Sequence, residues 1–490
     1  MTRSLILTNT TVPNGNGVTV AADFDSVYVA AGASLIANST IAVDGIHSAR
    51  AETVVDVAGF VLAYTAIAMA GSNARVTIYD GGAASGDNFG AFFSGINAQL
   101  INYGAVSGLY AVYASEYARV TNHGLISGGF AAVSLDAGGR LVNDGDIVGT
   151  IGVLANGAVA VANHGNITGT IAFQASSFDD SLINTGRIYG SVSMGLGVDL
   201  IDTIAGRIDG SVSMGEGDDT YQGGAGVDIV SGDDGNDDLS GGAGRDRFIA
   251  GNSDGDDDID GGTGVDTYDG HLLSGAITVN LAAGIARSAG SIDSLTGIED
   301  VIGGTLADRL TGDSLANRLQ GQAGNDALDG GIGNDVLFGG AGNDSIIGGV
   351  GNDRLFGGEG VDRLYGGDGN DVLFGSYDVD LMTGGAGADR FDFNEIEETF
   401  ANAGTGRDRI LDFVNGLDVI DLSTMDAVLT AAGDQAFSFI GTAAITDYGQ
   451  LSYRFVGGAT YISVSVNSPG RLDIIRLDGE HIMTAADFIL

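Results

Sequence analysis

The chain has 490 residues, with 84 glycines, 2 prolines, no cysteine and no tryptophan; its 64 acidic residues face 20 basic ones, every one an arginine. A net charge of −44 opposes compaction unless something cationic neutralises it, and it excludes a nucleic-acid-binding role, which needs a basic footprint. High glycine and charge also mark disorder, but 44% of the residues are apolar and recur at fixed intervals, so disorder is expected only while the charge stays unneutralised.

The N-terminal stretch carries one short apolar patch, Leu5-Ile6-Leu7, below the ~7–15 residues of a signal-peptide core. No stretch approaches the ~20 apolar residues that span a membrane. Export is therefore expected to bypass the signal-peptide route, and the lack of cysteine suits an exported chain that avoids stray disulfides.

From about Val76 to Gly210 a unit of 20 or 21 residues recurs, as in LINYGAVSG at Leu100, VTNHGLISG at Val120, LVNDGDIVG at Leu141, VANHGNITG at Val161 and LINTGRIYG at Leu182. Short β-branched strands alternating with Asn-x-Gly turns predict a right-handed parallel β-helix, each coil stacked ~4.8 Å from the next over an inward apolar row. Asn102, Asn122, Asn143, Asn163 and Asn184 are expected to form a hydrogen-bonded ladder at the turn. Fainter units at Leu35 and Val54 place the start of the helix near residue 30.

A unit of nine residues then takes over: GGAGVDIVS at Gly223, GGIGNDVLF at Gly330, GGAGNDSII at Gly339, GGVGNDRLF at Gly348 and GGDGNDVLF at Gly366. Six residues form a turn that needs positive φ, which glycine supplies cheaply. Three form a short strand whose middle side chain faces the core: Val230, Leu239, Leu337, Ile346, Leu355, Leu364 and Leu373. Two such units close one flattened coil, so stacking sets a column of aspartates along each edge, and carboxylates ~5 Å apart demand a counter-ion. Carboxylate and carbonyl oxygens without nearby His or Cys select calcium over zinc or soft metals.

The pattern G-G-x-G-x-D-x-U-x, with U large and apolar, resembles the RTX repeat of exported bacterial proteins. The resemblance implies calcium ligands at Asp219, Asp228, Asp237, Asp246, Asp257 and Asp266 in a first block. In a second block it implies Asp308, Asp326, Asp335, Asp344, Asp353, Asp362, Asp371, Asp380 and Asp389. Asn317 replaces one aspartate, so its site is expected to be weak or empty, and the units at Gly303, Gly312 and Gly375 have lost glycines. SVSMGLGVD at Ser191 recurs as SVSMGEGDD at Ser211, which predicts one continuous all-β parallel solenoid whose turns change type there. The expected division is a β-helix over 1–210, repeat blocks over 211–269 and 303–392, inserted strands over 270–302, and a C-terminal cap over 393–490.

In that last segment Phe391, Phe393, Phe400, Phe413, Phe437, Phe439 and Phe455 predict an aromatic cap over the open roll end. GTGRDRILDFVNGLDVIDLS at Gly404 resembles the domain that follows the roll in serralysin-type proteins, and Asp487-Phe488-Ile489-Leu490 matches that family's acidic-then-apolar ending. The resemblance implies an uncleaved signal for a type I exporter as partner. Extracellular modules bind calcium with ~10⁻⁴–10⁻³ M dissociation constants, so the acidic half is expected to stay unfolded inside the cell and to fold outside. Roughly fifteen ions would carry about +30.

The five histidines, His47, His123, His164, His271 and His481, form no H-E-x-x-H, and no G-x-S-x-G elbow accompanies a triad pattern, so a serralysin-type protease domain is not expected. His123 and His164, with Asp144 between them, read as a solvated turn column. The function expected is a secreted structural or adhesive surface protein, of surface-layer or biofilm-matrix type, binding itself or cell-surface polysaccharide. The alternative is a polysaccharide lyase or epimerase working through Tyr110, Tyr113 or Tyr117 with Arg119, among few arginines that include Arg75, Arg140 and Arg187.

Overall fold

The computed structural model describes residues 4–7, 10–13, 18–19, 26–38, 44–252, 254–288, 290–393, 407–425, 436–465 and 472–490. They fall into two compact units, Met1–Phe248 with Ser253–Gly264, and Ile249–Asn252 with Val265–Leu490. Each is a parallel β-solenoid, and no helix among the described residues is long and apolar enough to cross a membrane.

In the first unit each coil gives a short strand to one sheet and a longer one to the other. The short strands Val54–Val57, Arg75–Ile78, Gln99–Asn102, Arg119–Asn122, Arg140–Asn143, Ala160–Asn163 and Ser181–Asn184 pair in parallel without slip. Alternation sends one residue of each strand inward. Val55, Val76, Leu100, Val120, Leu141, Val161, Leu182, Ile201, Tyr221, Leu239 and Ile259 make one continuous buried row. The facing sheet supplies a second row: Val61, Ala84, Val106, Ile126, Ile147, Ile167, Ile188 and Ile208.

The asparagine ladder forms. Asn102 Nδ2 donates to Asn122 Oδ1, Asn122 to Asn143, Asn143 to Asn163, and Asn163 to Asn184, each at 2.7 Å. All five side chains are buried. Asn143 also donates to the carbonyls of Gly145 and Asn166 at 3.1 Å, so its amide has no spare capacity. Asn143→Ala leaves the buried Asn163 Oδ1 without its donor, while Asn122 keeps the carbonyls of Gly124 and Asp146. The substitution should cost about 1–3 kcal/mol, seen as a lower urea midpoint for these coils whether or not calcium is present.

The solenoid starts earlier than residue 30. Ser4–Leu7 pairs in parallel with Ser26–Val29, which pairs with Val54–Val57, and Thr10–Pro13 pairs with Ser34–Asn38. These first coils are longer than the later ones, so their residues drop out of the 20-residue register and the repeat fades.

The change of turn type lies inside the first unit. Leu182 stacks on Ile201, Ile201 on Tyr221 and Tyr221 on Leu239, while the coil step shortens from 20 residues at Asp199 to 18 at Asp219. Eighteen residues are two nine-residue units, and the inward row does not shift.

In the second unit the strands Arg318–Ala323, Val336–Ala341, Arg354–Glu359 and Val372–Tyr377 build one sheet, and Ala327–Ile332, Ser345–Val350, Arg363–Asp368 and Leu381–Ala386 build the other. Leu319, Leu328, Leu337, Ile346, Leu355, Leu364, Leu373 and Met382 fill the narrow space between. Turn glycines take backbone shapes closed to other residues. Gly342 has φ +140°, and a Cβ there would lie 1.3 Å from the Gly324 carbonyl oxygen. In the 270–302 insert, Thr278–Asn280 pairs in parallel with Arg309–Thr311 and carries two antiparallel strands, Ile285–Arg287 and Ile292–Thr296.

Beyond residue 407, Gln450–Val456, Ala459–Val464 and Leu472–Asp478 form an antiparallel meander, and Leu472–Asp478 continues the stack onto Asp408–Ile410. Phe391, Phe393, Phe413 and Phe437 are buried, Phe439 packs against Tyr453 and Phe488, and Phe455 is exposed with its ring edge against Tyr453; Phe400 lies outside the described residues. Phe488–Ile489 is a short strand on Ile420–Asp421, and Asp487 caps the turn before it by accepting from the backbone N–H of Thr484 at 2.6 Å.

Candidate metal centre

Each repeat aspartate directly precedes its strand, where the glycine turn closes. The backbone N–H of one aspartate donates to Oδ1 of the equivalent aspartate one coil later. On one edge of the second unit the chain runs Asp308 to Asp326 (2.7 Å), Asp326 to Asp344 (2.7 Å), Asp344 to Asp362 (2.7 Å) and Asp362 to Asp380 (2.8 Å). On the other it runs Asn317 to Asp335, Asp335 to Asp353 and Asp353 to Asp371 at 2.8 Å, then Asp371 to Asp389 at 3.0 Å. In the first unit Asp219 donates to Asp237, Asp237 to Asp257 and Asp228 to Asp246 in the same way.

All fifteen aspartates singled out from the sequence are buried, the most exposed being Asp257 at 6%. One carboxylate oxygen enters the ladder. The other, Oδ2, is buried without a hydrogen-bond partner in Asp219, Asp228, Asp237, Asp326, Asp335, Asp344, Asp353, Asp362, Asp371, Asp380 and Asp389. Native interiors rarely leave such an atom bare, and a column of them points to a missing ligand.

Burial disfavours the carboxylate form and pushes these groups upward: Asp219, Asp335 and Asp389 to about 6, and Asp237, Asp326, Asp362 and Asp371 to about 7. Asp380 rises to about 9, through burial first and the charge of Asp408 second. Asp228, Asp308, Asp344 and Asp353 are raised for the same first reason.

Three positions depart from the pattern. Asp308 has both oxygens satisfied, Oδ1 by the N–H of Ile277 at 2.8 Å and Oδ2 by the N–H of Gly304 at 2.6 Å, so it closes the column as a protein cap. Asn317 accepts from Asp313 and donates to the Glu299 carbonyl, leaving no bare oxygen, in line with a weak or empty site. Asp266 hands its N–H to Glu299 Oε2 at 2.9 Å, so a glutamate takes the place of the next aspartate.

Four ladder members escaped the sequence reading. Asp180 and Asp199 precede the first repeat: Asp180 donates to Asp199 at 2.6 Å and Asp199 to Asp219 at 2.7 Å. Asp408 and Asp418 follow the last repeats, accepting from Asp380 at 3.0 Å and Asp389 at 3.1 Å. Asp418 Oδ2 takes the N–H of Val414, so that edge ends in a cap as Asp308 does. The traces in sequence were the G-x-G-x-D of Gly195 to Asp199 and the D-x-apolar triplets at Asp408 and Asp418.

The donor set fits a hard cation, since only oxygens converge on these turns. Among the described residues no three His, Cys, Asp or Glu side chains gather as a metal-holding group, so an ion here would need backbone carbonyls or water beside the aspartates. A bound calcium supplies the positive charge that lets these buried carboxylates ionise.

The first unit's other candidates stay apart. His123 Nδ1 and His164 Nδ1 both contact Asp144, at 2.9 and 2.8 Å, as a partly exposed column with His123 stacked on Tyr103. Tyr110 and Tyr113 lie on the strand Ala105–Ala114, while Arg119 opens a strand of the opposite sheet and Tyr117 sits in the turn before it. Tyr113 donates to Asp136 at 2.6 Å and is pushed up to about 12 by burial and that carboxylate, the wrong direction for a base near neutrality.

A profile of the RTX calcium-binding nonapeptide repeat (4 copies) matches residues 215–248, 302–337, 329–364 and 356–391. The chain therefore carries RTX repeats, which bind calcium at multiple sites. Comparison with curated proteins returns no significant match. Among solved structures, the AlgE6R2 subunit from the Azotobacter vinelandii mannuronan C5-epimerase is similar at 25% identity and TM-score 0.20, over 39% of this chain and 92% of that one. The AlgE6R3 subunit is similar at 25% identity and TM-score 0.19, over 38% and 78%. The extracellular lipase LipA from Serratia marcescens is similar at 19% identity and TM-score 0.15, over 56% and 40%.

Proposed function

We propose that this chain, an RTX-repeat calcium-binding protein, is a secreted structural or adhesive surface protein that folds on meeting extracellular calcium. The observation that carries the adhesive part is an apolar face on the first unit. On the strands Phe60–Met69, Ala83–Phe93, Ala105–Ala114 and Leu125–Leu135, the exposed side chains include Phe60, Leu62, Tyr64, Leu109, Leu125 and Phe130. Between them Phe89 stacks on Tyr110 at 5.5 Å and Phe92 on Tyr113 at 5.0 Å. Exposed apolar and aromatic side chains on successive coils of a chain of net charge −44 support contact with another surface, because solubility here does not depend on masking them.

Export by a type I system, reading the segment that ends in Asp487-Phe488-Ile489-Leu490, completes this reading. Phe488 is buried in the folded protein, so the exporter would have to engage it before folding.

Negative-stain electron microscopy with and without millimolar calcium tests the proposal. Sheets or filaments should appear only with calcium, and the double variant Leu109→Ser/Phe130→Ser should give isolated particles that still bind calcium. Isolated wild-type particles that release unsaturated ends from an acidic polysaccharide would replace the adhesive reading with the lyase one.

A further inference from the structure

The aspartate ladder does not begin where the repeats begin. Upstream of residue 215 its first rung is the N–H of Val159, which donates to Asp180 Oδ1 at 2.6 Å. Asp180 then donates to Asp199, and Asp199 to Asp219, the first repeat aspartate. Both upstream aspartates are nine-tenths buried or more, at 3% and 2% exposed, and the Oδ2 of each lacks any partner. That is the arrangement at Asp219 and Asp237 one and two coils later.

The turn before Asp199 has the repeat's backbone as well. Gly195 and Gly197 hold φ +101° and +138°, against +113° and +140° at Gly215 and Gly217 and +111° and +140° at Gly340 and Gly342. A Cβ at Gly217 would meet the Gly197 carbonyl oxygen at 1.6 Å, so the two turns nest as successive repeat turns do. One coil earlier, Ser176-Ser177-Phe178-Asp179 has no glycine, and Val159 stands where a further aspartate would be. The ladder therefore ends at Asp180 for lack of a carboxylate.

We propose that calcium binds between the coils of Asp180 and Asp199 and between those of Asp199 and Asp219, two sites upstream of the repeats and inside the 20-residue β-helix. The proposal rests on the repeat aspartates being calcium ligands and extends that chemistry to turns outside the nine-residue pattern. Its consequence is that calcium sets the folding of the last β-helix coils as well as of the roll.

Calcium content of the intact protein, measured by equilibrium dialysis with elemental analysis, is the test. Asp180→Asn/Asp199→Asn should bind two fewer ions than wild type, while Asp353→Asn, within the repeats, should also bind fewer. If the Asp353 variant loses ions and the double variant binds the full wild-type number, the upstream sites fall and the repeat sites stand. If neither variant loses ions, the repeat assignment itself fails. Should the double variant not fold, anomalous difference density in calcium-grown wild-type crystals decides: a peak beside Asp180 and Asp199 supports the sites, and peaks confined to the repeats overturn them.

Discussion

Stripping calcium with a chelator at pH 7.5 should unfold the repeat coils and leave the coils from Val54 to Asn163 standing. A carboxyl raised from 3.8 to about 7 disfavours its ionised form by about 4 kcal/mol, and Asp237, Asp326, Asp362 and Asp371 are all in that position. Such penalties accumulate along the column, while the stability of an ordinary domain is only about 5–15 kcal/mol. Each nine-residue unit sets only one buried Leu or Ile, about 1.5–3 kcal/mol, against its carboxyl. The coils from Val54 to Asn163 have no comparable load, because their ladder is neutral asparagine. Chelation should therefore remove part of the far-UV β signal and expose residues 215–392 to protease, while a fragment containing Val76–Asn163 persists. Calcium at about 10⁻⁴–10⁻³ M should restore protection. Equal protease resistance with and without calcium would show that the columns are neutralised some other way.

Acid should act in opposite directions on the metal-free and calcium-loaded forms. In the metal-free fold the carboxyls titrate above their unfolded value, so the folded state holds more protons in between. Their contribution is fully present below about 4 and is lost as pH rises through 6 to 7, and up to about 9 for Asp380. The chelated protein should accordingly regain β structure between pH 7.5 and pH 4.5. Calcium must displace those protons, so its apparent affinity should fall at least about tenfold between pH 7.5 and pH 5.5, measurable by titration calorimetry. A chelated protein less folded at pH 4.5 than at pH 7.5 would mean that the carboxyls are not buried as described.

The repeats were legible because their chemistry is strict. A positive-φ turn needs glycine, a three-residue strand needs one inward apolar residue, and an ion column needs an aspartate each time, so the period of nine survives even at Gly375. The asparagine ladder was legible for the same reason: one residue type recurs where one hydrogen-bond geometry repeats. What failed to show lies where the geometry persists without its usual residues. Asp180 keeps the ladder bond although its turn has no glycine. Asp308 sits in perfect register, yet the Gly304 N–H takes its second oxygen, a choice set by tertiary contacts. The coils before Val54 changed length, and Phe455 sits exposed in a meander although it looked like its buried neighbours.

Hydrogen exchange read by mass spectrometry over residues 318–391, at pH 7.5 and across a calcium titration, tests the central claim most directly. Fast exchange throughout without calcium, passing cooperatively to strong protection as calcium reaches the millimolar range, is the predicted result. Protection of Ala327–Ile332, Ser345–Val350 and Arg363–Asp368 that is already complete in chelator would contradict the account, because the roll would then stand without its ions.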